Sequence, residues 1–334
     1  GNAKLLAEDG YFTDFISNGV STELCFVAFC AFTLIIIFAG VQNGIERVSK
    51  IMMPILIVLS VIIAVYSVTR PGALAGVKYF LVPNVKNFSW MTVVSAMGQM
   101  FYSLSIAMGI LITFGSYMKK DTAIEDSTRN VEIFDTGIAI MAGLMIIPAV
   151  FAFSGGDPDT LQAGPSLMFI TIPKVFQNMG FGTVIGIVFF LLVLFAAVTS
   201  SIALTESAVS TFEDELGWGR KKATVLVGVI MLALGSLSSL GYGPLAGIKI
   251  IGMQFLDLFD FLTNSVMMPI AALLTSLFVS RVVGIDKIEE EIIHGESAFR
   301  RKKVFVVMIK YLCPVFAIII LLSSVANALG WIKM

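Results

Sequence analysis

Residues Gly98-Gln-Met-Phe-Tyr-Ser-Leu-Ser-Ile-Ala-Met-Gly-Ile-Leu-Ile-Thr-Phe-Gly-Ser-Tyr117 lie inside an apolar segment long enough to cross a bilayer, yet carry Gln99, Ser103 and Ser105 beside Gly98, Gly109 and Gly115. In hydrocarbon, a helix loosens only where protein or a water-filled cavity satisfies the freed backbone groups. The stretch therefore reads as two half-helices around a polar middle, a pattern that points to a midplane binding site in secondary transporters. The competing reading is an ordinary packed helix whose small residues let its neighbours approach.

The rest of the chain sets the context. Of 334 residues, 57% are hydrophobic and 13% charged, and the mean hydropathy of +0.93 is far above that of an average soluble domain. This is the composition of a membrane protein, and its apolar segments make the expected fold all-α and polytopic. A net charge of -1 without a basic block gives no sign of a nucleic-acid partner. Cys25, Cys30 and Cys313 sit in apolar segments without paired or metal-type spacing and read as small hydrophobes. The sequence starts at Gly1 without Met, and its polar opening holds no apolar signal-peptide core, so a piece of a longer protein is expected.

About eight apolar segments come near the length of a membrane-spanning helix: Leu24 to Gly40, Ile51 to Thr69, Trp90 to Tyr117, Phe134 to Phe153, Phe181 to Phe212, Ala223 to Leu240, Phe255 to Ser280 and Val304 to Leu329. Lys and Arg concentrate after the first, third, fifth and seventh of these, as in Arg220-Lys-Lys222 and Arg300-Arg-Lys-Lys303. By the positive-inside rule these loops are cytoplasmic and the chain starts outside. Residues 1–22 and 154–180 are then external loops, the latter broken by Gly155, Gly156, Pro158, Gly164, Pro165 and Pro173, with short helical pieces. Residues 282–303 form a cytoplasmic loop in which Ile285, Ile288, Ile292 and Ile293 mark an amphipathic helix. No linker or composition shift divides the chain, so residues 1–334 are read as a single membrane domain.

An ionisable group near the bilayer centre costs roughly 2.5–3.5 kcal/mol on insertion scales and marks a candidate functional site. Asp135, Glu206 and Asp260 qualify, although Asp135 also fits an interfacial charge near a helix start. Ala196, Thr199, Ser200, Ala203 and Ser207 share one small, hydroxylated helical face. Such a face suits either close helix packing or a hard cation such as Na⁺, which prefers oxygen ligands. Gly44 and Pro54 bracket a helix start that can unwind at modest cost, or form an ordinary loop and helix start. The sole histidine, His294, lies in a charged loop, so a Ser-His-Asp arrangement within the membrane is unavailable and no enzyme is expected.

The motifs Gly98-Gln-Met-Phe-Tyr-Ser-Leu-Ser, Thr199-Ser-Ser-Ile-Ala, Gly44-Ile-Glu-Arg followed by Pro54, Ala163-Gly-Pro-Ser-Leu-Met-Phe-Ile-Thr-Ile-Pro173 and Phe212-Glu-Asp-Glu occur in order along the chain. Together they resemble the neurotransmitter:sodium symporter family, most closely its bacterial amino-acid transporters. Transporters of this family are among those from which the broken-helix argument is drawn. The resemblance implies a core of two inverted repeats of five helices, of which this chain resembles the fourth to eleventh helices, with the first three expected upstream. It also implies sodium-coupled symport of a small amino acid by alternating access, with two sodium ions bound in the complete transporter.

Carried over by position, the resemblance implies that Ser103 and Asp135 hold the first sodium, and that Ala196, Thr199 and Ser200 hold the second. Tyr102, Ser105, Met108, Ser200 and Leu204 would line the substrate pocket. Gln99 and Asp260 would form the outer gate, with Asp257 competing for the second role, and Gly44 to Pro54 would be the inner hinge. Chloride-dependent relatives resemble this stretch but have neutral Asn in place of Asp135 and a hydroxyl in place of Ala139, so transport is expected to be chloride-independent. The alternatives are a channel or sensor without coupled transport, or an inert fragment. The sequence leaves the substrate and the oligomeric state open.

Overall fold

The computed structural model describes residues 7–8, 10–157, 164–178, 180–296, 298–328 and 330–331. Parts of the two expected external loops, with Lys4, Pro158 and Ala163, lie outside these residues, as do Leu329 and Lys333. In chain order the helices are α1 (Tyr11–Ser17), α2 (Gly19–Phe38), α3 (Arg47–Val68), α4 (Ala73–Leu81), α5 (Trp90–Ser103), α6 (Ile110–Ser116), α7 (Ile124–Ser154) and α8 (Ile172–Gln177). There follow α9 (Gly182–Leu216), α10 (Arg220–Leu240), α11 (Phe255–Asp260), α12 (Met268–Phe278), α13 (Ile285–Gly295), α14 (Lys302–Val307) and α15 (Cys313–Ala328). Wider π turns at Val41–Glu46, Phe261–Met267, Val279–Val283 and Met308–Leu312 join several of these into longer rods.

Among the described residues, seven rods are long and apolar enough to cross a membrane: Gly19–Phe38, Val41–Val68, Ile124–Ser154, Gly182–Leu216, Arg220–Leu240, Phe255–Val283 and Lys302–Ala328. The protein is thus an all-helical, multi-pass membrane protein. The remaining apolar segment, Trp90 to Tyr117, is interrupted into α5 and α6. Helix α2 begins before the apolar run because the Asn18 side chain accepts the Ser21 N–H at 3.2 Å and caps it.

The chain divides into two compact units, with boundaries that fall inside α7 and α9. One unit comprises the described residues through Val85 together with Thr136–Thr205 and Leu216–Lys249. Its core joins Leu56 and Ile63 of α3, Met145, Ala149 and Val150 of α7, Ile172 and Phe176 of α8, and Ile185, Phe189 and Leu192 of α9. In the same unit α2 packs on α10, where a Cβ at Gly235 would meet the Phe26 ring at 2.1 Å and one at Gly228 would meet Leu34 at 3.0 Å. Arg220 Nε donates to the Ile37 carbonyl at 3.0 Å, fastening the end of α2.

The other unit comprises Lys86–Asp135, Glu206–Glu215 and the described residues from Ile250 onward. Helix α12 packs along α15, and the Ser276 hydroxyl donates to the Ile309 carbonyl at 2.7 Å. Helix α5 also packs on α15. The candidate first-ion residues Ser103 and Asp135 and gate residues Gln99 and Asp260 all fall in this unit.

Candidate functional site

Helix α5 is started by a reciprocal cap: Ser89 Oγ accepts the Thr92 N–H, and Thr92 Oγ1 accepts the Ser89 N–H, both at 3.3 Å. It stops at Ser103. Beyond it the backbone turns through left-handed conformations at Ser105 (φ 54°), Ala107 (φ 64°) and Gly109 (φ 80°), and α6 begins at Ile110. A left-handed conformation costs a residue with a Cβ roughly 1–2 kcal/mol. Two such residues here mark a segment held open by its surroundings, a feature that clusters at functional sites. Among the described residues, the carbonyls of Ser103, Leu104, Ile106 and Ala107 accept no backbone hydrogen bond. The break therefore presents carbonyl oxygens without a backbone donor among the described residues, beside the Ser103 and Ser105 side chains.

The next finding is a pairing. Ser103 Oγ donates to Asp135 Oδ1 at 2.6 Å, joining the last residue of α5 to the fourth turn of α7. Asp135 is half-buried and Ser103 exposed. A carboxylate, a hydroxyl and the loosened carbonyls form an oxygen-only donor set, which is the chemistry of a hard cation.

In the other unit, Ala196, Thr199 and Ser200 follow one another on α9. Thr199 Oγ1 donates to the Ala196 carbonyl at 3.0 Å and to the Phe195 carbonyl at 3.1 Å. Ala196 O and Thr199 Oγ1 are thus adjacent oxygens on one face, and Ser200 is exposed next to them. Ser201, one residue on, points elsewhere and shares a 3.0 Å hydrogen bond with Thr33 of α2. Tyr102, Ser105 and Met108 flank or lie in the break between α5 and α6, while Ser200 and Leu204 lie on the α9 face and are exposed.

Gln99 and Asp260 are exposed and are not hydrogen-bonded to each other; Asp260 Oδ1 instead accepts from Asn264 Nδ2 at 2.6 Å, one turn along. Asp260 closes α11 where the rod widens into the π turn Phe261–Met267. Gly44 lies in another π turn, buried so tightly that a Cβ would stand 2.2 Å from the Ile36 carbonyl. The following helix runs without a break through Pro54. Both regions are wound, and π turns of this kind are frequent at functional sites.

Two contacts escape a reading of the sequence. Glu206 of α9 is fully buried, and the Tyr117 hydroxyl, just past α6, donates to its Oε1 at 2.7 Å. Nearby, Thr113 Oγ1 donates to Ser207 Oγ at 3.4 Å, and a Cβ on Gly109 would stand 2.6 Å from that same oxygen. Gly109, Thr113 and Tyr117, before, within and just past α6, therefore lie against residues 206–207 of α9. Glu206 stands out in the sequence as an ionisable group in an apolar rod; its partner does not, since a tyrosine at a helix end is commonplace.

An all-helical membrane protein with an interrupted helix and oxygen-rich polar groups at the break has the build of a secondary transporter. The sodium:neurotransmitter symporter family matches residues 14–331, and the chain belongs to it: a family of transporters, not enzymes. Among its relatives, an uncharacterized sodium-dependent transporter of Bacillus subtilis, YhdH, is 34% identical over 94% of this chain and 69% of its own length. An uncharacterized sodium-dependent transporter of Haemophilus influenzae is 31% identical over 87% of this chain and 62% of its own. One from Methanocaldococcus jannaschii is 30% identical over 77% of this chain and 52% of its own. The chain thus spans between about half and two thirds of the length of these relatives. The crystal structure of MhsT in complex with L-phenylalanine superposes with a TM-score of 0.83 at 33% identity, covering 97% of this chain and 74% of that one.

Proposed function

We propose that this chain forms part of a sodium-coupled symporter that carries a small amino acid or related substrate into the cell by alternating access. The observation that carries the proposal is the break at 104–109 with Ser103 hydrogen-bonded to Asp135. It supplies carbonyls released from the helical pattern, a hydroxyl and a carboxylate where an apolar rod would otherwise offer a cation nothing.

In this reading Ser103 and Asp135 hold the first sodium, and the Ala196 carbonyl with Thr199 and Ser200 holds the second. On binding a cation, the Thr199 hydroxyl keeps its proton donated toward Phe195 and turns its lone pairs outward, beside the Ala196 carbonyl. Tyr102, Ser105, Met108, Ser200 and Leu204 line the substrate pocket; Gln99 and Asp260 belong to the outer gate, and Gly44 to Pro54 is the inner hinge. Met108 and Leu204 suit an apolar or aromatic side chain, a reading supported by the L-phenylalanine bound to MhsT. The Asp135 carboxylate supplies a fixed negative charge and makes transport chloride-independent. Residues 1–334 act as one membrane domain of the plasma membrane with loops 1–22 and 154–180 outside and 282–303 inside, an orientation supported by the placement of Lys and Arg.

The driving force is electrical as well as chemical, since each sodium moving inward gains roughly 2.3 kcal/mol per 100 mV of membrane potential. Replacing Thr199 and Ser200 together with Ala tests the reading. Sodium-dependent substrate binding is expected to vanish, and an unchanged sodium affinity would sink the second site.

A further inference from the structure

The start of α7 and the connection from α13 into α14 are tied to each other by a carboxylate from each side. Glu296 Oε1 accepts the backbone N–H of Glu125 at 2.6 Å and of Asp126 at 3.4 Å, at the start of α7. In return the Glu125 carboxylate accepts the N–H groups of Arg300 at 2.9 Å and Arg301 at 3.1 Å, immediately before α14. First-turn N–H groups have no partner in their own helix, and a carboxylate there also meets the positive end of the helix dipole. Arg301 closes the arrangement, with Nη1 2.8 Å from Glu132 and Nε 3.8 Å from Glu125. The hydrogen bond to Glu132, with Glu125 behind it, pushes the Arg301 guanidinium above its usual pKa. Gly295 allows the close approach, since a Cβ there would stand 2.5 Å from the Thr122 carbonyl.

This junction closes a ring through the ion site. Helix α15, at the far part of the rod Lys302–Ala328, packs on α5, which ends in Ser103. Ser103 holds Asp135 of α7, and α7 runs unbroken from its capped first turn to Asp135, a rise of about 15 Å between Glu125 and Asp135. The stretch from Glu125 to Asp135 is thus tied at its start by Glu296 and at its end by Ser103.

We infer that Glu125 and Glu296 are positioning residues for the first-sodium site: their reciprocal capping sets the register of Asp135 against Ser103. The inference rests on the sodium reading of Asp135 proposed above. It gives the linker between α13 and α14 a task beyond that of a solvated connection.

The test is a sodium titration of substrate binding, using the purified transporter that contains this chain in lipid nanodiscs, with amide exchange at Glu125 and Asp126 recorded in parallel. Glu296→Ala and Glu125→Ala are expected to raise the half-saturating sodium by about five- to twentyfold, the scale of one or two hydrogen bonds. Substrate affinity at saturating sodium is expected to stay within about twofold, because the pocket residues are untouched. Glu296→Gln keeps an acceptor oxygen and should titrate close to the parent. A flat response in Glu296→Ala, with amide protection lost and Asp135→Ala strongly impaired, would overturn the clamp alone. A flat response in Asp135→Ala would overturn the sodium reading and the positioning role with it. Glu296→Gln behaving like Glu296→Ala would overturn the capping geometry.

Discussion

Ser103 Oγ lies 2.6 Å from Asp135 Oδ1, although the two residues are 32 apart in sequence. A hydroxyl at the end of a broken helix and a carboxyl on the following rod meet beside the break, where the helical hydrogen-bond pattern stops. Ser103→Ala removes one oxygen and the bond that orients the other. At roughly 1.5–3 kcal/mol for a hydrogen bond to a charged group, half-saturating sodium should rise about ten- to hundredfold. Sodium-dependent binding of substrate measures this, and an unchanged titration would contradict it.

The same carboxyl bears on anions. With Asp135 and Ala139 in place, flux through the transporter should be the same in chloride and in gluconate media. Stimulation by chloride in the parent protein would refute this, since the fixed charge would then not be sufficient.

Gly109 stands at φ 80° with Ser207 Oγ where a Cβ would go. Gly109→Ala should cost about 1–2 kcal/mol for the backbone alone, with the clash added. Ser207→Ala should relieve the clash and leave the backbone cost, so the double variant should be more stable than Gly109→Ala. Thermal unfolding of the three variants checks this, and a Gly109→Ala protein as stable as the parent would count against the left-handed turn.

Tyr117 and Glu206 offer a separate test. Tyr117→Phe removes the hydroxyl that donates to a fully buried carboxyl, a loss of roughly 1–3 kcal/mol. Glu206→Gln retains an acceptor and should cost less than Glu206→Ala, which also leaves a cavity. Equal melting temperatures for Tyr117→Phe and the parent would show that the bond contributes nothing.

Much of this was legible in the sequence because a membrane imposes simple rules. Apolar length marks the spans, and Gly109 with Ser103 and Ser105 marks the break, since polar and flexible residues have few other reasons to lie in such a segment. Asp135 and Glu206 stand out for the same reason. What local sequence does not carry is long-range pairing: nothing near Tyr117 names Glu206, and nothing near Glu296 names the amides of Glu125 and Asp126. Glu296 reads as one more charge of a cytoplasmic loop because the amides it accepts belong to a distant helix start. The π turns at Val41–Glu46 and Phe261–Met267 are equally silent, since one extra residue in a turn leaves the apolar pattern almost unchanged. Gly44 signals helix weakness in the sequence, whereas in the fold it makes room for the Ile36 carbonyl.

Coupling itself is tested most directly by uptake into proteoliposomes of the transporter that contains this chain, using a panel of labelled amino acids that includes L-phenylalanine. An inward sodium gradient should drive accumulation of at least one of them, and an inside-negative potential should raise the rate. Accumulation that persists when sodium is replaced by choline, or a flux that ignores both gradient and potential, would contradict sodium-coupled symport.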